Sequence, residues 1–162
     1  MPMVNNVTRL LDSRKIPYQA FELPAEKLGA RETAQLLNLD PALVYKTIVV
    51  TRTSGKPILA VIPGPNRVDL KLLAAALGEK KVSLPTEREA ETLTGLQAGG
   101  ISPLALVGKG FQVVIDSAAQ ACPAIHISGG QRGLNIRLPV QSLAELTRAR
   151  FDWISQPEPE DS

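Results

Sequence analysis

The sequence is poor in the side chains that most often carry covalent and acid–base chemistry. Among 162 residues, Cys122 is the only cysteine and His126 the only histidine. A lone cysteine excludes an internal disulfide and fits a reducing compartment, so a cytoplasmic protein is expected. One cysteine and one histidine do not make a zinc ligand set, so neither a metal nor a cofactor is expected. A Ser-His-Asp triad could be built only on His126. In Ala124-Ile-His-Ile-Ser128, alternation sets His126 opposite Ile125 and Ile127, where an ordinary polar-face residue is the plainer explanation. Strong charge is also missing. A net +2 is too small to announce nucleic-acid binding, so any such contact must be local. No apolar run is long enough to cross a bilayer, and the first residues carry no secretory pattern.

What is present is an apolar fraction of 44%, enough for one packed core. There is no internal repeat and no linker. A single domain over 1–155 is expected, followed by an acidic, proline-bearing, disordered tail over 156–162. Val4, Val7, Leu10 and Leu11 have helical spacing, and 16–23 reads as an edge strand. A helix over 31–39 and a restart at Asp40-Pro41 lead into the strand that holds Lys46. A turn at 53–57 makes a hairpin of 48–51 and 58–62. Asp69 caps a helix that Gly78 ends, and 80–84 is a short strand. Thr86 and Glu89 form a capping box for a helix running to Thr94. Strands are expected at 104–107, 112–115, 124–128 and 134–138, and a helix capped by Ser142 and Glu145 closes the domain. About seven strands, with hairpins beside helical connections, argue for α+β rather than a doubly wound parallel sheet.

Two features stand out against that background. Thr94-Gly-Leu-Gln-Ala-Gly-Gly-Ile-Ser-Pro-Leu104 holds three glycines and a proline, so its bare backbone can approach a ligand; a helix stop and tight turn is the plainer explanation. Lys46 interrupts Val44-Tyr-Lys-Thr-Ile-Val-Val50, a run that otherwise reads as a buried strand. Such a lysine either snorkels to water or faces a polar pocket. Lys46, Thr47, Ser102, Asp116, Ser128 and the two glycine-rich turns (94–104 and 129–133) offer little acid–base machinery. They could hold a substrate carbonyl against backbone donors and a cation, which suits an activated ester attacked by water or by a group of its own.

In order along the chain, Val44-Tyr-Lys-Thr47, Val68-Asp-Leu-Lys-Leu72, Leu77-Gly-Glu-Lys-Lys-Val82, Gly99-Gly-Ile-Ser-Pro-Leu104, Val114-Ile-Asp116 and Ser128-Gly-Gly-Gln-Arg-Gly133 resemble the YbaK family of free-standing aminoacyl-tRNA deacylases. These are relatives of the editing domain inserted in bacterial prolyl-tRNA synthetases. The resemblance covers about residues 4 to 154. It implies a mixed, mostly antiparallel sheet curled into a partial barrel with helices around it. It implies trans-editing of mischarged tRNA(Pro), with Cys-tRNA(Pro) ahead of Ala-tRNA(Pro), and prolyl-tRNA synthetase as a candidate partner. Lys46 and Gly99 match the catalytic positions. Thr47, Gly100, Ile101, Ser102, Ser128, Gly129 and Asp116 are carried over as substrate-binding positions. The resemblance also implies that the substrate's own thiol attacks its ester carbonyl, releasing cysteine from the tRNA through a cyclic intermediate. The chain departs from the family in lacking a tyrosine near Leu23, in carrying Ala105 after Ser-Pro-Leu, and in the less basic turn 107–111.

Two other classes compete: a non-catalytic aminoacyl-tRNA binding module and a small esterase for free metabolites. Cleavage of charged tRNA compared with a free amino-acid ester separates the three. For Asp116 the plainer reading is a side chain closing a turn at a strand end, Ser128 could serve its own turn, and Lys80-Lys81 could be a solvated strand end or a phosphate contact.

Overall fold

Local signals place most elements where the sequence expects them. The computed structural model describes residues 4–159. Helix α1 (Asn6–Ser13) opens on Asn5, whose side chain accepts from the Thr8 N–H while the Thr8 hydroxyl accepts from the Asn5 N–H. Strand β1 (Gln19–Glu22) and helix α2 (Ala30–Leu37) follow, then a 3₁₀ turn at Pro41–Leu43 capped by Asp40. Strands β2 (Tyr45–Arg52) and β3 (Ile58–Pro63) form the expected hairpin. After β4 (Asn66–Val68), Asp69 accepts from the Leu72 N–H and starts α3 (Leu70–Leu77), which Gly78 ends in the left-handed conformation. Beyond β5 (Val82–Ser83), the reciprocal Thr86–Glu89 capping bonds open α4 (Glu87–Thr94). Then come β6 (Gln112–Asp116), β7 (Ala124–Ser128), β8 (Leu134–Pro139), α5 (Val140–Thr147), β9 (Arg150–Asp152) and β10 (Ser155–Pro157).

The five-stranded sheet runs β5-β2-β3-β6-β9, and a three-stranded sheet runs β1-β8-β7. The pairings β3–β6 and β6–β9 are parallel and the others antiparallel, so the α+β, mostly antiparallel architecture holds. An isolated bridge from Val44 to His126 joins the two sheets along one edge, and the strands curl without closing into a barrel. Strand β3 is buried along its whole length. Its Leu59 and Val61 face the core shared with α1, α5 and the small sheet, while Ile58, Ala60 and Ile62 face α3. The larger of these, Ile58, Leu59, Val61 and Ile62, each contribute about 1.5–3 kcal/mol when fully buried.

Four expectations are corrected. Residues 104–107 are not a strand: Ser102 accepts from the Leu104 N–H and Pro103 takes the first position of a 3₁₀ turn, Pro103–Leu106. Helix α5 starts at Val140, behind Pro139, so Ser142 lies inside it and caps nothing. Strands β9 and β10 and the short β4 were not anticipated. The tail does not begin at 156: Gln156 and Pro157 pair with Arg67 and Asn66 of β4. Residues 160–162 lie outside the described residues.

Candidate active site

Strand β5 pairs with β2 only at Thr51 and Arg52, so residues 45–50 of β2 have no strand beyond that edge. A cleft of about 430 Å³ occupies the vacancy. Its walls are the β2 edge, the loop 26–29 with the start of α2, the Leu84–Glu87 entry to α4, Ala98, Gly99 and Ile101 of the first glycine loop, and Ser128, Leu134 and Asn135 of the small sheet. A cleft of this size takes a ligand of small-molecule dimensions.

Lys46 and Thr47 alternate across β2, so the cleft that both line wraps round the strand edge. The Lys46 ammonium has no hydrogen bond or ion pair to a described residue. Burial pulls its pKa below the ordinary 10.5; the nearby Glu158 opposes that shift and Arg31 adds to it. It is a half-desolvated cation, available to an incoming oxygen. Gly99 is exposed to the cleft at φ +89°, a conformation that glycine adopts cheaply, with the Lys27 Cα packed where a side chain would begin. Ser128 lines the cleft, and its hydroxyl lies 3.5 Å from the Gly99 carbonyl.

The other carried-over positions do not line the cleft. Gly100 is buried, its N–H bonded to Gln97 O at 2.8 Å. Ser102 is fully buried as the cap of the 3₁₀ turn. Gly129 is buried and packs against the Leu134 side chain. Asp116 belongs to the frame. Its carboxylate accepts from Ala118 N at 2.9 Å, Ile154 N at 3.1 Å and Ser155 Oγ at 2.7 Å, which pins the β9–β10 turn to the end of β6. Replacing it orphans two backbone donors, one of them buried. Asp116→Ala is expected to lower unfolding free energy by about 2–3 kcal/mol, read from the urea midpoint. Per folded molecule, activity should stay within about twofold.

Sequence reasoning missed Asn135, which lines the cleft, and Lys27, whose ammonium meets Glu87 at 2.6 Å across the mouth; Leu23, where the chain lacks the family's tyrosine, also lines it. Behind Asn135 sits His126, 4% exposed, with Nδ1 2.8 Å from Asn135 Oδ1 and Phe21 against its ring. Since a carbonyl oxygen can only accept, Nδ1 carries the hydrogen. Burial lowers the His126 pKa against the opposing Asn135 bond, with Arg137 adding to the fall, so the ring is neutral at pH 7. His126 is therefore buried behind the cleft wall and does not itself line the cleft. Among the described residues, no cluster of three His, Cys, Asp or Glu is placed to hold a metal ion, and no helix is long and apolar enough to cross a membrane.

Comparison with known proteins identifies the family. The model of the aminoacyl-tRNA editing domain family matches residues 25–146. A protein of Enterococcus faecalis (strain ATCC 700802 / V583), EbsC, named as a candidate Cys-tRNA(Pro)/Cys-tRNA(Cys) deacylase, is 34% identical over 155 residues, 94% of both chains. The proline–tRNA ligase of Thermodesulfovibrio yellowstonii (strain ATCC 51303 / DSM 11347 / YP87) is 27% identical over 122 residues, 75% of this chain and 20% of that enzyme. Two crystal structures share the fold at 24% identity. The hypothetical protein APE2540 matches with a TM-score of 0.86, over 94% of this chain and 100% of its own. A candidate trans-editing enzyme for prolyl-tRNA synthetase matches with 0.78, over 95% and 99%. The class is that of an aminoacyl-tRNA deacylase. The chain belongs to the aminoacyl-tRNA editing domain family, as its motifs implied.

Proposed function

We propose that this protein is a trans-editing enzyme that clears mischarged tRNA(Pro), with Cys-tRNA(Pro) as its substrate. One observation carries the reading. Lys46 and the Gly99 backbone line the same cleft, and the lining has no histidine, cysteine or aspartate. Its carboxylates, Glu26 and Glu87, are exposed at the mouth. A site of this kind stabilises a developing oxyanion but has no strong base of its own to activate water. The substrate thiol fills that gap. Its sulfur bonds to the ester carbonyl carbon, the bond from that carbon to the ribose oxygen breaks, and the thiol proton ends on the ribose oxygen. The tRNA leaves with a free terminal hydroxyl, and water opens the cyclic thioester to cysteine. Lys46 and the Gly99 N–H hold the carbonyl oxygen, while Thr47, Ile101 and Ser128 bound the aminoacyl group. With a net charge of only +2, the protein takes part of its tRNA selection from a partner, prolyl-tRNA synthetase, in the cytoplasm.

The test is release of labelled amino acid from Cys-tRNA(Pro), S-methylcysteinyl-tRNA(Pro), Ala-tRNA(Pro) and Pro-tRNA(Pro). Rapid loss of cysteine alone is expected, because S-methylation removes the nucleophile and leaves the ester intact. Equal loss of cysteine and S-methylcysteine would overturn the thiol step. Preferred loss of alanine would reassign the substrate.

A further inference from the structure

The two glycines at the centre of the first loop are not equivalent as donors. The Gly100 N–H is spent on Gln97 O, whereas the Gly99 N–H has no protein partner among the described residues. Of these two, the Gly99 amide is the one available to a substrate oxygen, and its direction is set by the peptide joining it to Ala98. Both ends of the Ala98 backbone are held from outside the loop. The Glu91 carboxylate, on α4, accepts from Ala98 N at 2.8 Å, and Arg132 Nε, on the second glycine turn, donates to Ala98 O at 2.7 Å.

We propose that Arg132, with Glu91 behind it, is a positioning residue for the reaction: it clamps the Ala98–Gly99 peptide so that the Gly99 N–H faces the reacting carbonyl. In a trans peptide the C=O and the following N–H point in opposite directions. Arg132 does not line the cleft, whereas Ala98 and Gly99 do. Drawing the Ala98 carbonyl towards Arg132 therefore turns the Gly99 N–H away from Arg132, to the cleft side. The left-handed conformation of Gly99 lets the chain continue from that orientation. Arg132 suits the task because its Nε–H lies in the rigid guanidinium plane, whereas a lysine ammonium is a rotating point donor. Its charge also polarises the peptide it holds, which strengthens the N–H at the other end. Among the described residues Arg132 has no carboxylate partner, so this contact is not a by-product of an ion pair.

This inference rests on Gly99 serving as the oxyanion donor, and its test separates the two. Arg132→Lys is compared with wild type in steady-state deacylation of charged tRNA and in the amide spectrum of the folded protein without substrate. Removing an oxyanion donor costs about 10²–10³ in kcat; loosening one should cost about tenfold or more, with KM within about twofold. The Gly99 amide proton should move upfield and exchange faster with solvent. If wild type deacylates no charged tRNA, the proposed function falls, and the Gly99 resonance still decides the clamp. An unmoved resonance, or a changed melting temperature with kcat intact, overturns the clamp and leaves Arg132 a loop brace. Should Arg132→Lys fail to fold, Glu91→Ala releases the other end of Ala98. The same resonance shift and a smaller fall in kcat are then expected, and their absence overturns the proposal.

Discussion

Lys46→Ala is expected to lower kcat/KM for charged tRNA by about 10²–10³, the scale of losing one preorganised charge from an oxyanion site. The substitution should not destabilise the fold. Burial already pulls the Lys46 pKa below 10.5, so the folded state disfavours the cation relative to the unfolded chain. Between the folded value and 10.5 the unfolded chain holds more proton, so stability rises with pH there, and below the window the penalty for the cation is fully present. Removing the charge relieves that penalty at neutral pH. A melting temperature equal to or above wild type, with activity lost, is the signature of a residue kept for function at a cost in stability. The pH profile carries the same sign. Activity that needs the ammonium must decline as pH rises through a value below the ordinary lysine range, after subtraction of spontaneous ester hydrolysis. Lys46→Arg, which keeps its proton throughout, should retain part of the activity and lose that decline. Wild-type rates in Lys46→Ala would remove Lys46 from the mechanism.

Lys46 was legible because a charge within an apolar strand is a local contradiction that needs no partner to be noticed. The caps at Asp69, Thr86 and Gly78 were legible for the same reason, since every atom in a cap lies within a few residues. Asp116 shows where that reading stops. Its sequence neighbours admit either a pocket carboxylate or a turn, and the decision is made by Ile154 and Ser155, nearly forty positions away. Asn135 and Arg132 were missed for the same reason: their partners, His126 and Ala98, are on other elements. The 3₁₀ turn at Pro103–Leu106 was misread as a strand although Ser102-Pro103 is a cap followed by a first-position proline; an apolar run outweighed the signal. Ala105, a departure from the family pattern, packs on Gly130, its Cβ 3.2 Å from where a Gly130 side chain would begin. The departure is absorbed between the two glycine turns and not in the cleft wall.

Gly100→Ala is expected to have the largest effect of any single added methyl group in the loop, although Gly100 neither lines the cleft nor needs a left-handed backbone. A Cβ there would sit 2.8 Å from the Gln131 Cα, 3.0 Å from its carbonyl carbon and 3.1 Å from the Arg132 nitrogen. All three are backbone atoms, so no rotamer change relieves the clash and the two glycine turns must move apart. Overpacking of this kind costs about 1–3 kcal/mol. The larger consequence is geometric. Separation of the turns draws Arg132 from the Ala98 carbonyl and Ser128 from Gly99, and a misplacement near 1 Å at a reacting centre costs about 10² in rate. Gly95→Ala is the control. Gly95 ends α4 at φ +72° with nothing within 4 Å of an added Cβ, so that substitution should cost only about 1 kcal/mol of backbone strain and leave kcat close to wild type. Both variants are measured well below their melting temperatures, so that unfolding does not pass for lost chemistry. If Gly100→Ala turns over as fast as Gly95→Ala, the close approach of the two turns does not set the geometry of the reacting peptide, and Gly99 would have to be held by the first loop alone.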